Sequence, residues 1–240
     1  MPWVEGEHVL QLYPQAAAET GIGTAFVAEG LRQNASVVVI ATGALWETLL
    51  RQLRAAGIDA QRAVAEDGLR LFGAHAILAA ARPDETLRAI LRFARAGNGG
   101  LRVVSELSDL LWRQGKQGAA LAIERRWNAF ARSEAFSLLC ACGVDALDAS
   151  AYGGALECLG ALHTHVVPAN NYEAFDEAVG QAVAEVLEPR LLRMVHALSA
   201  AQRPAIHMPS GVVLLFWLRQ HMPRTAEKVL ARSRQRWRAH

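Results

Sequence analysis

With 240 residues, 52% of them hydrophobic and 20% charged, the chain has material for one α/β domain with an appendage or for two small domains, and general disorder is excluded. The formal net charge of +2 hides an asymmetry: residues 223–240 carry Arg224, Lys228, Arg232, Arg234, Arg236 and Arg238 against Glu227 alone, a net of +5 that leaves −3 for the rest. Three cysteines (Cys140, Cys142, Cys158) make no disulfide framework, and Gly211–Leu218 is far too short to span a membrane. The opening Met1-Pro2-Trp3-Val4-Glu5 lacks the basic and apolar regions of a secretion signal, so a reduced cytoplasmic setting is expected.

The first 42 residues have the layout of a nucleotide-binding βαβ unit: an apolar strand at Val9–Tyr13, a helix at Thr20–Gln33, and a β-branched strand at Val37–Thr42. Leu45–Ala56 is amphipathic and stops at Gly57; Leu69–Phe72 reads as a short strand; Pro83-Asp84 opens a helix running to Ala96. Leu101–Ser105 is a third major strand, followed by helices at Glu106–Arg113 and Lys116–Arg132. Phe136–Cys142 is a continuous apolar run of the kind buried on both faces. Ala146–Leu162 reads as a helix, His165–Val167 as a short strand ended by Pro168, and Glu173–Leu187 as a helix. This alternation predicts a mostly parallel sheet with helices on both faces, a three-layer α/β architecture. Pro189 marks an expected boundary between a domain over 1–188 and a basic helical appendage over 189–240, made of Leu191–Ala201, Gly211–His221 and Arg224–Arg238.

The nucleotide chemistry is missing from that opening unit. A phosphate-binding loop wraps phosphates with glycine amides and neutralises them with a lysine. Here the connection reads Tyr13-Pro14-Gln15-Ala16-Ala17-Ala18-Glu19-Thr20, a degenerate loop in which Ala18, Glu19 and Thr20 fill the last positions and Glu19 stands where the lysine belongs. A carboxylate there repels a triphosphate.

An ordered set of motifs then points to a family. His8-Val9-Leu10-Gln11-Leu12-Tyr13 and Glu29-Gly30-Leu31 are followed by Leu107-Ser108-Asp109-Leu110-Leu111-Trp112-Arg113-Gln114-Gly115. Leu121-Ala122-Ile123-Glu124-Arg125-Arg126-Trp127-Asn128, Phe136-Ser137-Leu138-Leu139-Cys140-Ala141 and His163-Thr164-His165-Val166-Val167-Pro168 complete it. Over roughly residues 8–187 the chain resembles the MEDS family, the sensory domain of methanogen and methylotroph regulators that include the dichloromethane-response regulator. The resemblance implies a RecA/KaiC-type three-layer fold without the phosphate-binding signature, and a sensory role toward small molecules such as hydrocarbon derivatives. It also implies a signalling partner, a kinase or a regulator, while this chain shows neither a kinase domain nor a helix-turn-helix. Where the pattern is expected to continue Cys-Ala-Tyr, the chain has Cys140-Ala141-Cys142.

In open parallel sheets ligands bind beyond the carboxyl ends of the strands, where strand order reverses. That places Tyr13, Thr42, Ser105, Glu106 and Cys142 as the expected ligand-binding set, suited to a small, weakly polar molecule. Glu106 ends a buried strand where RecA-like ATPases keep their magnesium-associated acid; it reads either as a carboxylate that meets ligand or as an acid complementing the dipole of the helix that follows. Trp112 and Trp127 read as core anchors, Glu124 and Asn128 share one helical face, and Asn128 is out of place in a helix interior. Cys140, Cys142, Cys158, His163 and His165 lack paired metal-ligand spacing, so neither metal nor cofactor is expected. His163 or His165 is expected to cap helix carbonyls, and His8 is expected at the end of the sheet opposite the ligand set. No nucleophile–base–acid set stands out, so catalysis is not expected. The apolar Val212–Trp217 stretch must pack on the body, on the final helix or across a dimer. The basic tail lacks a recognition-helix pattern, so contact with an acidic partner is expected ahead of contact with DNA.

Overall fold

A computed structural model describes residues 6–13, 23–94, 100–168, 171–201 and 206–237. Its chain packs as two compact units. One comprises residues 1–11 and 16–143, the other 12–15 and 144–240.

The first unit is a parallel α/β layer structure. Its strands are β1 (His8–Leu12), β2 (Ser36–Ala41), β3 (Leu69–Gly73), β4 (Leu101–Ser105) and β5 (Ser137–Cys142), in the spatial order β3-β2-β4-β5-β1. β2 pairs parallel with β3 and β4, and β4 parallel with β5. Every residue of β1, β2, β4 and β5 is buried, which requires cover on both sheet faces. That cover comes from α1 (Thr24–Arg32), α2 (Gly43–Ala55), α3 (Ala60–Ala65), α4 (Ala74–Ala79), α5 (Pro83–Ala94), α6 (Leu107–Arg113) and α7 (Gln117–Ala131).

The expected strands all form within a residue or two of their predicted limits, because runs such as Val37-Val38-Val39-Ile40 satisfy a doubly buried strand and nothing else. Two short helices, α3 and α4, were not foreseen; six residues each is too short for periodicity to register. The first helix is described from Thr24 onward; before it Gly23 sits at φ 66° and donates its N–H to Gln11 Oε1 at 2.9 Å. The prediction for Ala18, Glu19 and Thr20 lies outside the described residues.

One buried cation fixes how α1 lies on the sheet. Arg102 of β4 donates to the Phe26 carbonyl and to Gln33 Oε1, both at 2.8 Å, and its guanidinium lies 5.1 Å from the Phe26 ring centroid. Burial lowers the Arg102 pKa, with Glu29 acting in the opposite direction. The arginine stem fits only because residue 30 is glycine: a Cβ there would come within 2.8 Å of Arg102 Cδ and 3.1 Å of Val37 Cγ2.

The second unit contains a 3-10 turn (Ala149–Gly153), α8 (Ala155–Gly160), β6 (His165–Val167), α9 (Tyr172–Val186), α10 (Pro189–Ala201), α11 (Ser210–His221) and α12 (Pro223–Trp237). The single helix expected over Ala146–Leu162 is broken, since Gly153-Gly154 takes the backbone to φ −146°, ψ −110° between the two pieces. Packing does not divide the chain at Pro189: α12 packs along α9, so residues 144–188 associate with the C-terminal helices. The apolar Val212–Trp217 stretch is buried in α11 by α9, α10 and α12, with Phe216 half-buried edge-to-face on Tyr152 at 5.0 Å. Asp176 of α9 seats the start of α11, accepting from Ser210 N–H, Ser210 Oγ–H and Gly211 N–H.

Gly30→Ala is expected to destabilise the first unit by about 1–3 kcal/mol through overpacking against Arg102. Equilibrium urea unfolding measures it as a lowered midpoint with unchanged slope.

Candidate functional site

β2 and β4 are neighbours whose following connections leave in opposite directions, β2 toward β3 and β4 toward β5. The crevice beyond their carboxyl ends is therefore a topological switch point. Register Ile40↔Ser105 brings the two ends level, and the Glu106 N–H closes the ladder on the Ile40 carbonyl at 2.9 Å.

Across this crevice Glu106 and Thr42 are clasped. Glu106 Oε2 accepts from the Thr42 N–H at 2.7 Å and from its hydroxyl at 2.8 Å. The same hydroxyl accepts from Leu45 N–H at 3.4 Å, which makes Thr42 the N-cap of α2. Arg113, at the end of α6, donates to Glu106 Oε1 at 3.1 Å and pairs with Asp109 Oδ2 at 2.7 Å. Asp109 in turn accepts from the Gly143 N–H at 2.8 Å, just beyond β5. The ends of β2, β4 and β5 are thus tied through two buried carboxylates that share one guanidinium. Those two carboxylates outnumber the guanidinium between them.

The predicted ligand set is only partly assembled. Thr42, Glu106 and Cys142 come to the same edge. Ser105 is fully buried, its hydroxyl accepting from Leu107 N–H at 3.4 Å. Cys142 is fully buried, and burial and Asp109 push its thiol well up, which opposes a redox-sensing role. Tyr13 is buried and belongs to the second unit. Glu106 immediately precedes α6, and its carboxylate accepts from Thr42 and Arg113.

Two cavities adjoin β3. One of about 620 Å³ lies at the amino ends of β2 and β3, walled by charged groups that include the Arg62–Glu66 and Arg70–Asp67 pairs. The other, about 580 Å³, lies at the carboxyl end of β3 and is lined by Phe72, Ala76, Ile77, Ala89, Ile90 and Phe93. The second matches the strand ends where ligands bind in this architecture.

A further polar cluster escaped sequence reasoning. His8 faces Cys140 Sγ at 3.3 Å and Glu124 Oε2 at 3.1 Å through Nε2, and Asn128 Oδ1 at 3.0 Å through Nδ1. Cys140 donates to Glu124 Oε2 at 3.4 Å. β1 lies beside β5, with Leu138 N–H bonded to the Glu7 carbonyl, and this places His8 against Cys140. The signal was available in Glu124 and Asn128, four residues apart on α7, and Asn128 now has its reason to be in a helix. The Cys140–His8–Asn128 order has the geometry of a thiol nucleophile with its base and orienting amide. Its electrostatics are the reverse, since burial and the Glu124 carboxylate push the thiol well above its ordinary range.

The remaining candidates have structural partners. Trp127 packs edge-to-face on Phe130 and Phe136, as a core anchor should. His163 Nδ1 meets the Leu159 carbonyl at 2.7 Å, the expected helix cap, and His165 stacks on His207 at 4.8 Å. Cys158 is exposed. In the tail, Arg234 pairs with Asp145 at 2.8 Å and Arg236 with Glu185, so part of its charge is neutralised within its own unit.

Glu106→Gln replaces an acceptor of three donors with an amide that brings donors of its own. Destabilisation of about 1–3 kcal/mol is expected, read as a lowered thermal midpoint.

Residues 7–164 match the family described as MEthanogen/methylotroph, DcmR Sensory domain. No curated protein and no solved structure matches the chain. Among the described residues no helix is long and apolar enough to cross a membrane. The match covers well over half of the chain, and the chain therefore belongs to the MEDS family of sensory domains.

Proposed function

We propose that this chain is a non-enzymatic sensory module on a RecA-type sheet whose phosphate grip has been lost. It binds a small, weakly polar molecule at the carboxyl ends of β2, β3 and β4 and relays the event to a signalling partner. The observation that carries this reading is the Glu106–Thr42 clasp across the switch point. An amine or hydroxyl on the ligand competes with Thr42 for Glu106 Oε2, and the apolar cavity lined by Ile77, Ile90 and Phe93 takes its hydrocarbon body. Membership of a sensory family supports the role, and the two carboxylates sharing Arg113 support a ligand that is not an anion.

Release of Thr42 frees the N-cap of α2, and release of Arg113 frees the end of α6. Each charge-assisted bond to Glu106 contributes about 1.5–3 kcal/mol, so the ligand must return a comparable amount for the open state to be populated. A DNA-contacting role for the tail has less support, because Arg234 and Arg236 are engaged by Asp145 and Glu185.

A thermal-shift screen of small amines, alcohols, halocarbons and nucleotides tests the proposal. One of the first three classes is expected to stabilise the protein, by about 2.7 kcal/mol at a concentration one hundred times Kd. Glu106→Gln is expected to abolish that shift relative to its own ligand-free midpoint. Stabilisation by ATP–magnesium with turnover overturns the reading.

A further inference from the structure

The cluster of His8, Glu124 and Cys140 has a geometry that its hydrogen bonds alone do not require. Imidazole nitrogen, carboxylate oxygen and thiol sulfur converge on one point, separated by 3.1 Å (Nε2 to Oε2), 3.3 Å (Nε2 to Sγ) and 3.4 Å (Sγ to Oε2). A tetrahedral zinc with bonds of about 2.0 Å to nitrogen and oxygen and about 2.3 Å to sulfur sets such donors roughly 3.3–3.6 Å apart. The three donors therefore need to move by no more than about 0.3 Å to hold the ion. All three side chains are buried, at 4%, 0% and 0% exposure, on β1, α7 and β5.

We propose that His8, Glu124 and Cys140 supply three ligands of a binding site for a thiophilic divalent cation of the zinc class. Three features carry it. Asn128 Oδ1 takes the Nδ1–H of His8, which fixes the ring and turns the Nε2 lone pair toward the other two ligands, as an outer-shell partner does in metal sites. A thiolate and a carboxylate together neutralise a dication, so the loaded site buries no net charge. The mixture of sulfur and imidazole selects zinc, cobalt or copper over magnesium and calcium, which take oxygen.

Binding is a proton exchange with no redox step. On binding, the Cys140 thiol, which donates to Glu124, loses its proton to solvent and becomes the ligand; His8 binds as neutral imidazole. Because the site is enclosed, the ion enters as the chain folds. It neither needs nor competes with the Glu106–Thr42 clasp, so the two proposals stand or fall separately.

The test uses the full chain without affinity histidines, refolded with one equivalent of cobalt(II) and, in parallel, with zinc(II). One zinc per chain is expected by elemental analysis. The cobalt form is expected to show a thiolate-to-metal charge-transfer band in the near ultraviolet with intense tetrahedral bands in the visible. Cys140→Ser is expected to remove the charge-transfer band, Cys158→Ser to keep it, and Asn128→Ala to weaken affinity by about 10–100-fold. Folded wild-type protein that takes up no cobalt, or whose cobalt lacks the thiolate band, overturns the site. So does a band that survives Cys140→Ser. Should Cys140→Ser fail to fold by circular dichroism, the wild-type cobalt spectrum decides alone.

Discussion

A carboxylate at 3% exposure on the end of a buried strand needs donors around it, and Glu106 has three from Thr42 and Arg113. The arrangement of the sheet makes those bonds matter. β2 and β4 diverge in their connections beyond this point, so the clasp holds the crevice where the ladder ends. It also sets the start of α2, through the Thr42 cap, and ties α6 to its own first turn through Arg113. One side chain thereby fixes two strand ends and two helices. Any molecule that displaces Thr42 from Glu106 acts on all four, which is what a sensor requires and a rigid scaffold does not.

The alternate residues of β5 repeat a theme. Cys140 and Cys142 share a sheet face, and each thiol sits beside a buried acid, Glu124 for the first and Asp109 for the second. Burial and the neighbouring carboxylate keep both protonated, so neither is a thiolate nucleophile as it stands. What separates them is the third partner. Arg113 already pairs with Asp109, whereas His8 brings an imidazole nitrogen to Cys140 and Glu124. A cation completes the arrangement at Cys140 and has no place in the one at Cys142.

Much of this was legible in the residues. The β-branched run of β2, the apolar run of β5 and the glycine stops specified the parallel sheet, because few alternatives bury such segments on both faces. Glu106 and Thr42 were placed at one edge from strand ends alone. What could not be read was pairing at a distance: that β1 lies beside β5, and so that His8 meets Cys140, is a matter of strand order, which periodicity does not encode. At Ser105 the structure adds a local partner, since a hydroxyl at a strand end serves the next helix's first amide as readily as a ligand. The boundary at Pro189 was a true break in the helix but not in the packing, because α12 returns to α9.

The tail shows why formal charge is a poor guide to partners. Residues 223–240 carry a net +5 in sequence, yet Arg234 and Arg236 spend their guanidinium groups on Asp145 and Glu185 of their own unit. Trp237 packs edge-to-face on Phe175, burying what a surface helix would otherwise expose. The arginines that alternate around α12 therefore serve two environments. Those facing α9 and the 144–148 segment close the unit, while Arg232 stays exposed to solvent. Reading the run as one basic patch overcounts the charge available to any outside partner, nucleic acid most of all, whose affinity scales with the number of phosphates neutralised. The helix is better understood as part of the packed unit, with its amphipathic face turned inward.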